Sequence, residues 1–557
     1  MLLAVDPAPD GWRITELRDG TVPDSGEAIE PAARVLRLDA VAARESERPR
    51  WVWESTASVY PSLLDRGVRV ERCVDLRLDH AILRNASATA SSELATATDD
   101  PWDAPAAGRA AEVVDDALFS VAEPAPRLDP IREYRRQLAA VDGSEDPGRL
   151  RLLLAAENVG SLVAAELRHV GLPWSVPRHD ELLTGLLGPR PAPGERPERM
   201  RDLLERIRIA ADDPSLNPDS PVELLRGLQH AGIRAESTRS WELRQFEHPA
   251  IEPLLEYKKL ARLLTANGWA WLDEWVHDGR FRPVYVPAGV VTGRWASDGG
   301  GALQLPRQLR GAVVADPGWR LVVADAAQLE PRVLAAMSGD AAMARAGRAH
   351  DMYEGIVESG GAADRREAKY GMLGAIYGGT TGVSARVLPR LQRAFPRAMG
   401  LVEAAAREGE EGRAVQTRLG RTSPTGSAPG FDETLTDAQR RGDQSRRKAW
   451  GRFTRNFVVQ GTAAEWALCW MGALRRRLWE LGEVGGPPGA VAPFSHRPHL
   501  AFFLHDELVV HTPARLAAEV AEAMRDAATE AGRLLFGDVP VEWALSVAIV
   551  ESYDAAK

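Results

Sequence analysis

Two strand-like segments far apart in the sequence each end at acidic residues, and this pairing constrains the fold more than any other feature. Residues 319–324 form a largely apolar run that ends at Asp325. Residues 499–504 and 508–511 are two further apolar runs, with Asp506 and Glu507 between them. These patterns predict a buried strand and a tight hairpin. Both elements would therefore place a carboxylate at the end of a strand.

Carboxylates at two strand ends suit one kind of chemistry in particular. Phosphoryl or nucleotidyl transfer by two metals needs carboxylates from separate elements to meet around ions about 4 Å apart. Considered alone, each acid also has an ordinary structural interpretation, as a helix cap for Asp325 and as a turn residue for Asp506. The choice between these interpretations depends on a third cluster.

The third cluster is a predicted helix at residues 365–378 with an unusual face. Arg365, Lys369, Leu373 and Tyr377 recur every four residues, and each such step turns only about 40° around a helix. Two cations would bind phosphates, each charge-assisted contact contributing about 1.5–3 kcal/mol, and the aromatic ring offers a surface for a base. A solvated helix with incidental arginines explains Arg365, but it explains Lys369 and Tyr377 on the same stripe less well.

Composition removes several other classes of protein. With 557 residues the chain is too long for one hydrophobic core, so several packed units are expected. The sequence has no apolar run long enough to span a membrane and no secretion signal at its start, which predicts a cytoplasmic protein. No lysine follows a glycine, which excludes a Walker A loop. The net charge of -10 leaves room for a local cationic channel.

Three ordered segments resemble the motifs of DNA polymerase family A, the class of bacterial DNA polymerase I. Residues 325–332 resemble the first motif, DYSQIELR, and residues 365–378 resemble the second, RxxxKxxxFGxxYG. His505, Asp506 and Glu507 match the third, HDE. Shorter segments that also match in family order lie at residues 254–257, 292–294, 303–306 and 452–465. The resemblance covers about residues 150–557.

The resemblance implies a multidomain α/β fold, in which a right-hand polymerase with palm, fingers and thumb follows a small ribonuclease-H-like, exonuclease-like α/β domain. The expected divisions are an exonuclease-like domain at 1–140 with a linker or long loop at 87–127, thumb and palm entry helices at 141–260, palm at 261–340, fingers at 341–440 and palm at 441–557.

The resemblance also assigns catalytic roles by matching position. Asp325 and Asp506 would hold two Mg2+ ions, for which Mn2+ can substitute, with Glu507 as a supporting acid. Arg365 and Lys369 would neutralise the incoming triphosphate, and Lys369 is expected to protonate the leaving group. The expected partners are primer–template DNA and deoxynucleoside triphosphates, and the protein is expected to act as a monomer away from membranes.

A nucleotide pocket and a DNA path follow from the same resemblance. Tyr377 would pack near the templating base, Glu330 would exclude a 2′-hydroxyl, and Gln328 and Leu373 would complete the nucleotide pocket. Six residues would contact the primer–template duplex without sequence choice: Arg294, Gln304, Arg452, Asn456, Gln460 and His505.

The chain departs from the family at informative places. Ala326 replaces the tyrosine of the first motif and Leu373 the aromatic residue of the second, which predicts looser nucleotide selection, with lower fidelity or slower turnover. Residues 1–150 contain no DxE pair, and neither Tyr60 nor Tyr134 has an aspartate four residues later. The exonuclease-like domain is therefore expected to lack cleavage activity.

Three functions remain at the level of the sequence. The first is template-directed DNA synthesis in repair or gap filling, without proofreading. The second is a weakly catalytic or non-catalytic protein that binds primer–template ends. The third, a nuclease of unrelated fold using Asp325 and Asp506, leaves the stripe on residues 365–377 unexplained.

Overall fold

The computed structural model describes residues 1–8, 11–17, 33–104, 128–348, 351–379, 381–426 and 437–556. Within these residues the elements form an N-terminal sheet unit, a central group of helices and a C-terminal sheet unit. Among the described helices, none combines the length and apolar character needed to cross a membrane. Both cysteines, Cys73 and Cys469, are buried and form no disulfide.

The N-terminal unit is a mixed five-stranded sheet with helices packed on it. Its strand order is β3-β2-β1-β4-β5; β1 pairs antiparallel with β2 and parallel with β4. This arrangement is consistent with the expected exonuclease-like unit. Its elements are β1 Leu2–Ala8, β2 Gly11–Leu17, β3 Ala33–Leu36, α1 Leu38–Ala43, β4 Arg50–Trp53, α2 Thr56–Leu64, β5 Arg72–Asp75, α3 Leu76–Asn85, α4 Glu93–Thr96 and α5 Pro130–Asp142.

The predicted linker or long loop at 87–127 differs from the structure in its first part. Short helical turns occupy much of residues 87–103, and Leu94 and Trp102 are buried. Two large apolar side chains were enough to anchor a segment whose composition otherwise indicated a loop. Residues 105–127 lie outside the described residues.

The central part of the chain is mainly helical. Two of its helices are separated at Gly268, whose extended backbone ends one helix and begins the next. The elements are α6 Pro147–Val170, β6 Leu172–Pro173, α7 Val176–Leu187, α8 Glu198–Ala211, α9 Pro221–His230, α10 Ser240–Leu243, α11 Ile251–Asn267, α12 Trp269–Trp275, β7 Val276–His277, β8 Arg280–Phe281, β9 Tyr285–Val286 and β10 Ala296–Ser297.

The C-terminal unit is built on an antiparallel four-stranded sheet that is crossed by a long helix. The strand order is β12-β13-β11-β14, which confirms the predicted strand and hairpin. The elements are β11 Trp319–Ala326, α13 Leu329–Ser338, α14 Ala341–Ala346, α15 Met352–Glu358, α16 Arg365–Tyr377, α17 Gly382–Ala394, α18 Pro396–Glu410, α19 Asp437–Glu480, β12 His499–Leu504, β13 Glu507–Pro513, α20 Ala517–Phe536 and β14 Leu545–Val550.

Two buried histidines lie where β12, β13 and β11 meet. His499 and His511 both pack against Trp319, with ring centroids 5.8 Å and 4.6 Å away. Burial lowers the pKa of His499 to about 4. Burial also lowers the pKa of His511 well below its usual value, and the nearby His499 and Arg280 lower it further. The amide of Asp316 donates to Nε2 of His511 at 3.3 Å, which requires that nitrogen to be unprotonated.

These histidines predict that the fold loses stability in mild acid. An unfolded histidine titrates near pH 6.5, so below that pH the unfolded chain binds protons that the folded chain does not. Each histidine then lowers the free energy of unfolding by up to about 1.4 kcal/mol per pH unit, until the folded-state pKa is reached. Urea unfolding followed by tryptophan fluorescence should show a lower midpoint at pH 5 than at pH 7.5.

His499→Gln tests this assignment, and His230→Gln is its matched control. The first should flatten the pH dependence because it removes one of the two buried groups, whereas the second changes an exposed histidine and should leave the dependence unchanged. An unfolding midpoint that falls equally between pH 7.5 and pH 5 in the wild type and in His499→Gln would contradict the assignment.

Candidate active site

The two strand-end acids meet at the junction of β11 and β13. Asp325 is the register partner of Glu507 across the antiparallel pair, and the amide of Ala326 donates to the carbonyl oxygen of Asp506 at 3.0 Å. Asp325 and Asp506 are both half-buried. Acids separated by about 180 residues of sequence are therefore adjacent through direct strand pairing.

The Asp506 carboxylate lies on a sharply shaped turn. His505 adopts a left-handed backbone conformation with φ of 60°, and it is exposed while the flanking strands are buried. A histidine tolerates this conformation at a small cost in free energy. The turn thereby projects His505 and Asp506 from the end of the hairpin, and both line the adjacent cavity.

Glu507 occupies a different environment from the two aspartates. Its side chain is only 2% exposed; the Tyr553 hydroxyl donates to it, and Arg310 lies 3.3 Å from it. The Arg310 guanidinium also lies 4.3 Å from the centroid of the Tyr553 ring. Glu507 is thus buried at the start of β13 and held there by Arg310 and Tyr553. This placement suits a supporting acid.

Helix α16 presents the predicted face of two cations, one apolar residue and one aromatic residue. Asp364 caps its N-terminus by accepting from the amide of Glu367 at 2.7 Å, and Gly378 ends it with φ of 75°. Arg365, Lys369 and Tyr377 are exposed and Leu373 is half-buried, whereas Ala368, Met372, Ala375 and Ile376 are buried. The stripe that the sequence predicts therefore lies away from the core.

The first cation of this stripe has a partner on α15. Nε of Arg365 lies 2.6 Å from Oδ2 of Asp351, the N-cap residue of α15. Burial alone would raise the pKa of Asp351, but the hydrogen bond from Arg365 lowers it below the ordinary value. Lys369 lies one turn further along the same exposed face.

Glu330 links three parts of the site. Nη2 of Arg294 lies 2.6 Å from Oε1 of Glu330, and the Tyr377 hydroxyl donates to both carboxylate oxygens at 2.8 Å. Burial and the Glu330 charge raise the pKa of Tyr377 to about 12, so the hydroxyl remains a hydrogen-bond donor at neutral pH. In this arrangement Arg294 and Tyr377, predicted to contact DNA and the templating base, both hold Glu330.

A cavity of about 300 Å³ lies between these groups. Its walls include Gln328, Glu330, Leu373, His505 and Asp506, so residues from all three motifs face the same space. The Gln328 side chain also accepts from the amide of Met352 at 3.1 Å. Of the six predicted nucleotide-binding residues, Gln328, Glu330 and Leu373 line this cavity, whereas Arg365, Lys369 and Tyr377 are not among its lining residues.

The remaining predicted DNA contacts lie along two elements beside the cavity. Arg452, Asn456 and Gln460 recur every four residues on α19, where Arg452 is exposed and the other two are half-buried. Gln304 is exposed at the end of the short 3-10 helix Ala302–Gln304. These positions are accessible, as contacts to a duplex require.

Four residues of the site carried no recognisable local signal in the sequence. Arg310 and Tyr553 brace Glu507, Asp351 pairs with Arg365, and Tyr353 lines the cavity. Their partners lie far away in the sequence or on another helix, so periodicity could not identify them.

The donors at the junction suit a hard divalent cation. Within the described parts of the chain there is no cluster of three or more His, Cys, Asp or Glu side chains arranged around a metal position. Two half-buried carboxylates are instead what Mg2+ uses when it keeps water ligands and is completed by substrate phosphates. The residues therefore fit the expected ions without an all-protein cage.

Comparison with known proteins places these features in one family. The chain is 28% identical over 373 residues to a thermostable DNA polymerase I of Thermus filiformis, covering 61% of this chain and 40% of that protein. It is 28% identical to DNA polymerase I of Chloroflexus aurantiacus, covering 59% of this chain and 37% of that protein. The chain therefore spans less than half the length of these relatives.

A solved structure shares the fold of this chain, and a family model identifies its family. The POL domain of Pol1 from M. smegmatis, in complex with DNA primer-template and dNTP, superposes with a TM-score of 0.69 at 18% identity, over 100% of this chain and 95% of that one. This match shows a shared fold. The model of DNA polymerase family A matches residues 195–553. Because that match covers more than half of the sequence, the chain belongs to DNA polymerase family A.

Proposed function

We propose that the chain catalyses template-directed DNA synthesis, adding deoxynucleotides to a primer 3′ end by two-metal nucleotidyl transfer. The observation that carries the proposal is the pairing of β11 with β13, which sets Asp325 beside the turn that holds Asp506. Family membership supplies the reaction class, and the shared cavity supplies a place for the nucleotide.

The two aspartates would hold the metal ions, and the exposed cations of α16 would hold the triphosphate. When bound, the ions would lower the pKa of the primer 3′-hydroxyl and balance charge on the departing pyrophosphate. Arg365 would exchange its contact with Asp351 for a phosphate oxygen. Lys369 would neutralise the same group and donate a proton to the leaving oxygen.

The pocket accounts for the proposed sugar choice and for reduced selectivity. Glu330, fixed from two sides by Arg294 and Tyr377, would occupy the space that a 2′-hydroxyl requires. Ala326 has only a methyl side chain and is 3% exposed, so this position provides no aromatic ring to the nucleotide. Leu373 provides only an aliphatic surface. Fidelity below that of relatives with aromatic residues at both positions is the expected consequence.

The N-terminal unit is proposed to lack proofreading activity. The acids near the ends of its parallel strands have other partners: Asp6 pairs with Arg13 at 3.1 Å and Glu54 with Arg77 at 2.7 Å. The Asp75 carboxylate accepts from two backbone amides at the starts of α2 and α3. Carboxylates committed in this way are poorly placed to bind a catalytic metal pair.

The proposal also assigns polymerase subdomains to ranges of the chain and a cellular role to the protein. Residues 141–260 would form the thumb and palm entry, 261–340 and 441–557 the palm, and 341–440 the fingers, after an exonuclease-like domain at 1–140. Action as a monomer in cytoplasmic repair or gap filling remains a prediction of this proposal.

Primer extension tests the proposal directly. Purified protein, a 5′-labelled primer–template, four deoxynucleotides and Mg2+ should give longer, template-matched products, and excess EDTA should stop the reaction. Tight binding of the primer–template without extension would instead support a DNA-binding protein, which the losses at Ala326 and Leu373 would favour. Shortened primers would indicate a nuclease and would overturn both the proposed reaction and the inactive N-terminal unit.

Replacing Glu330 with alanine should increase the use of ribonucleotides. The substitution removes the carboxylate that Arg294 and Tyr377 hold in the cavity, and losing one such exclusion is worth about 1–3 kcal/mol, or about 10–200-fold in discrimination. The measurement is the ratio of kcat/KM for dCTP and CTP opposite a template guanine. Glu358→Ala, which changes an exposed glutamate on α15, is the matched control. An unchanged ratio in Glu330→Ala would refute the sugar-exclusion role.

A further inference from the structure

One aromatic residue in the nucleotide cavity has no role in the account above. Tyr353, on α15, is 7% exposed and lines the cavity together with Glu330, Leu373 and Asp506. Its neighbours are therefore the proposed sugar-excluding acid, the aliphatic position of α16 and a proposed metal ligand. A ring in this position lies where the sugar and triphosphate of a nucleotide would meet.

The other aromatic residues that line the cavity, Trp295 and Phe503, pack against neighbouring rings of the protein core. Trp295 and Phe503 pack edge to face with centroids 5.2 Å apart, and Tyr285 packs against both of them at 5.2 Å and 6.4 Å. Among the described residues no aromatic ring packs on Tyr353 in this way. Tyr353 thus lines the cavity, and its ring is not part of the packed aromatic cluster formed by Tyr285, Trp295 and Phe503.

Tyr353 is linked to both motifs in which this chain has replaced an aromatic residue of the family, at Ala326 and at Leu373. Its amide donates to Oδ1 of Asp351 at 2.9 Å, and Asp351 holds Arg365 of the second motif. The amide of the preceding Met352 donates to Gln328 of the first motif. The Arg365 guanidinium lies 5.8 Å from the centroid of the Tyr353 ring. The ring position is thus set by the same contacts that order the proposed triphosphate site.

We propose that Tyr353 is a positioning residue for the incoming nucleotide, providing the aromatic surface that Ala326 and Leu373 do not. The inference rests on the proposed function of the cavity. The ring would pack against the nucleotide through dispersion and shape, since an aromatic face buries a large apolar area with few rotatable bonds. Burial and then the charges of Glu330 and Asp351 raise the pKa of its hydroxyl to about 12, so the side chain stays neutral at physiological pH.

The test measures nucleotide binding without requiring catalysis. A primer ended with a dideoxynucleotide is annealed to its template, and the dissociation constant of the next correct dNTP is measured in Mg2+ by calorimetry. Tyr353→Leu should raise this constant about tenfold, and Tyr353→Phe should change it less than twofold because the ring is kept. Adding Leu373→Phe to Tyr353→Leu should recover at least a threefold part of the loss. The dissociation constant of the primer–template should remain unchanged.

Several outcomes separate a positioning role from a structural one. Tyr370→Leu, which removes an exposed ring of α16, should leave nucleotide affinity unchanged. If Tyr353→Leu does not fold, Tyr353→Met tests the same loss, because methionine fills irregular space without a ring. Nucleotide affinity that is unchanged in the leucine or methionine variant would overturn the inference, as would a double variant without recovery.

The same measurements distinguish this inference from the proposed function. A wild-type chain that extends primers but binds nucleotide independently of Tyr353 overturns the inference alone. A chain that binds the correct dNTP through Tyr353 but never extends a primer overturns the proposed reaction alone. A chain that binds no dNTP on the blocked primer–template overturns both.

Discussion

Replacing Asp506 with asparagine is expected to reduce the rate of nucleotide incorporation by about 10³-fold. Asparagine preserves the size of the side chain, but it removes the negative charge and one oxygen ligand at the β11–β13 junction. Metal ions contribute several kcal/mol to phosphoryl transfer, and a loss of about 4 kcal/mol corresponds to about three orders of magnitude in rate. Single-turnover incorporation of one nucleotide in Mg2+ measures this rate apart from product release.

The control for this prediction is another aspartate-to-asparagine change. Asp526 is exposed on α20 and does not line the cavity, so Asp526→Asn should keep the wild-type rate. Asp506→Asn should bind primer–template within about threefold of the wild type, because the phosphate backbone dominates DNA affinity. An Asp506→Asn rate within tenfold of an active wild type would show that this carboxylate is not a required metal ligand.

The sequence predicted the position of the acids because strand patterns are local. The apolar run before Asp325 and the two runs around Asp506 each encode a strand that one sheet can bury. Once both are strands of the same sheet, antiparallel pairing places Asp325 opposite Glu507. Helical periodicity likewise predicted the stripe on α16, since the buried residues there fix which side faces outward.

The contacts made by that stripe could not be predicted in the same way. Arg365 pairs with Asp351, and Glu330 is held by Arg294 and Tyr377. Each contact joins different elements, so it depends on how the elements pack and on which rotamer each side chain adopts. A periodic pattern shows which side of a helix is exposed, but it does not name the partner across the cavity.

The sequence shows where the chain departs from the family motifs, but it does not show which residue would compensate. Ala326 and Leu373 reveal that two aromatic rings are missing. Tyr353, the proposed substitute, lies outside all three motifs. Only the packing of α15 against the first and second motifs places its ring in the cavity. Likewise, Gly268 is tolerated in many helices at a cost of about 1 kcal/mol, so the break between α11 and α12 became evident only in the structure.

Arg475→Met is expected to lower the stability of the protein by about 3–5 kcal/mol. Arg475 of α19 is 6% exposed and makes a bidentate ion pair with Glu166 of α6, at 2.6 Å and 2.9 Å. The Tyr60 hydroxyl of α2 donates to the same carboxylate at 2.7 Å, and Arg475 also donates to the carbonyl oxygens of Val70 and Glu71. Removing the guanidinium leaves a buried carboxylate without its main partner, which costs about 3–5 kcal/mol.

The location of this pair gives the loss a structural consequence. Arg475 joins the long helix of the C-terminal unit to the N-terminal unit, so the variant should expose the boundary between them to proteolysis as well as lower the melting temperature. Arg476→Met is the matched control, because the adjacent side chain is 53% exposed and surface ion pairs contribute about 0–1 kcal/mol. The double variant Arg475→Met with Glu166→Leu should regain only part of the lost stability. It removes the carboxylate that has lost its main partner, but it leaves Arg69, whose side chain is 7% exposed and lies 3.8 Å from Glu166, without that carboxylate. A melting temperature for Arg475→Met equal to that of Arg476→Met would show that the buried pair does not hold the two units together.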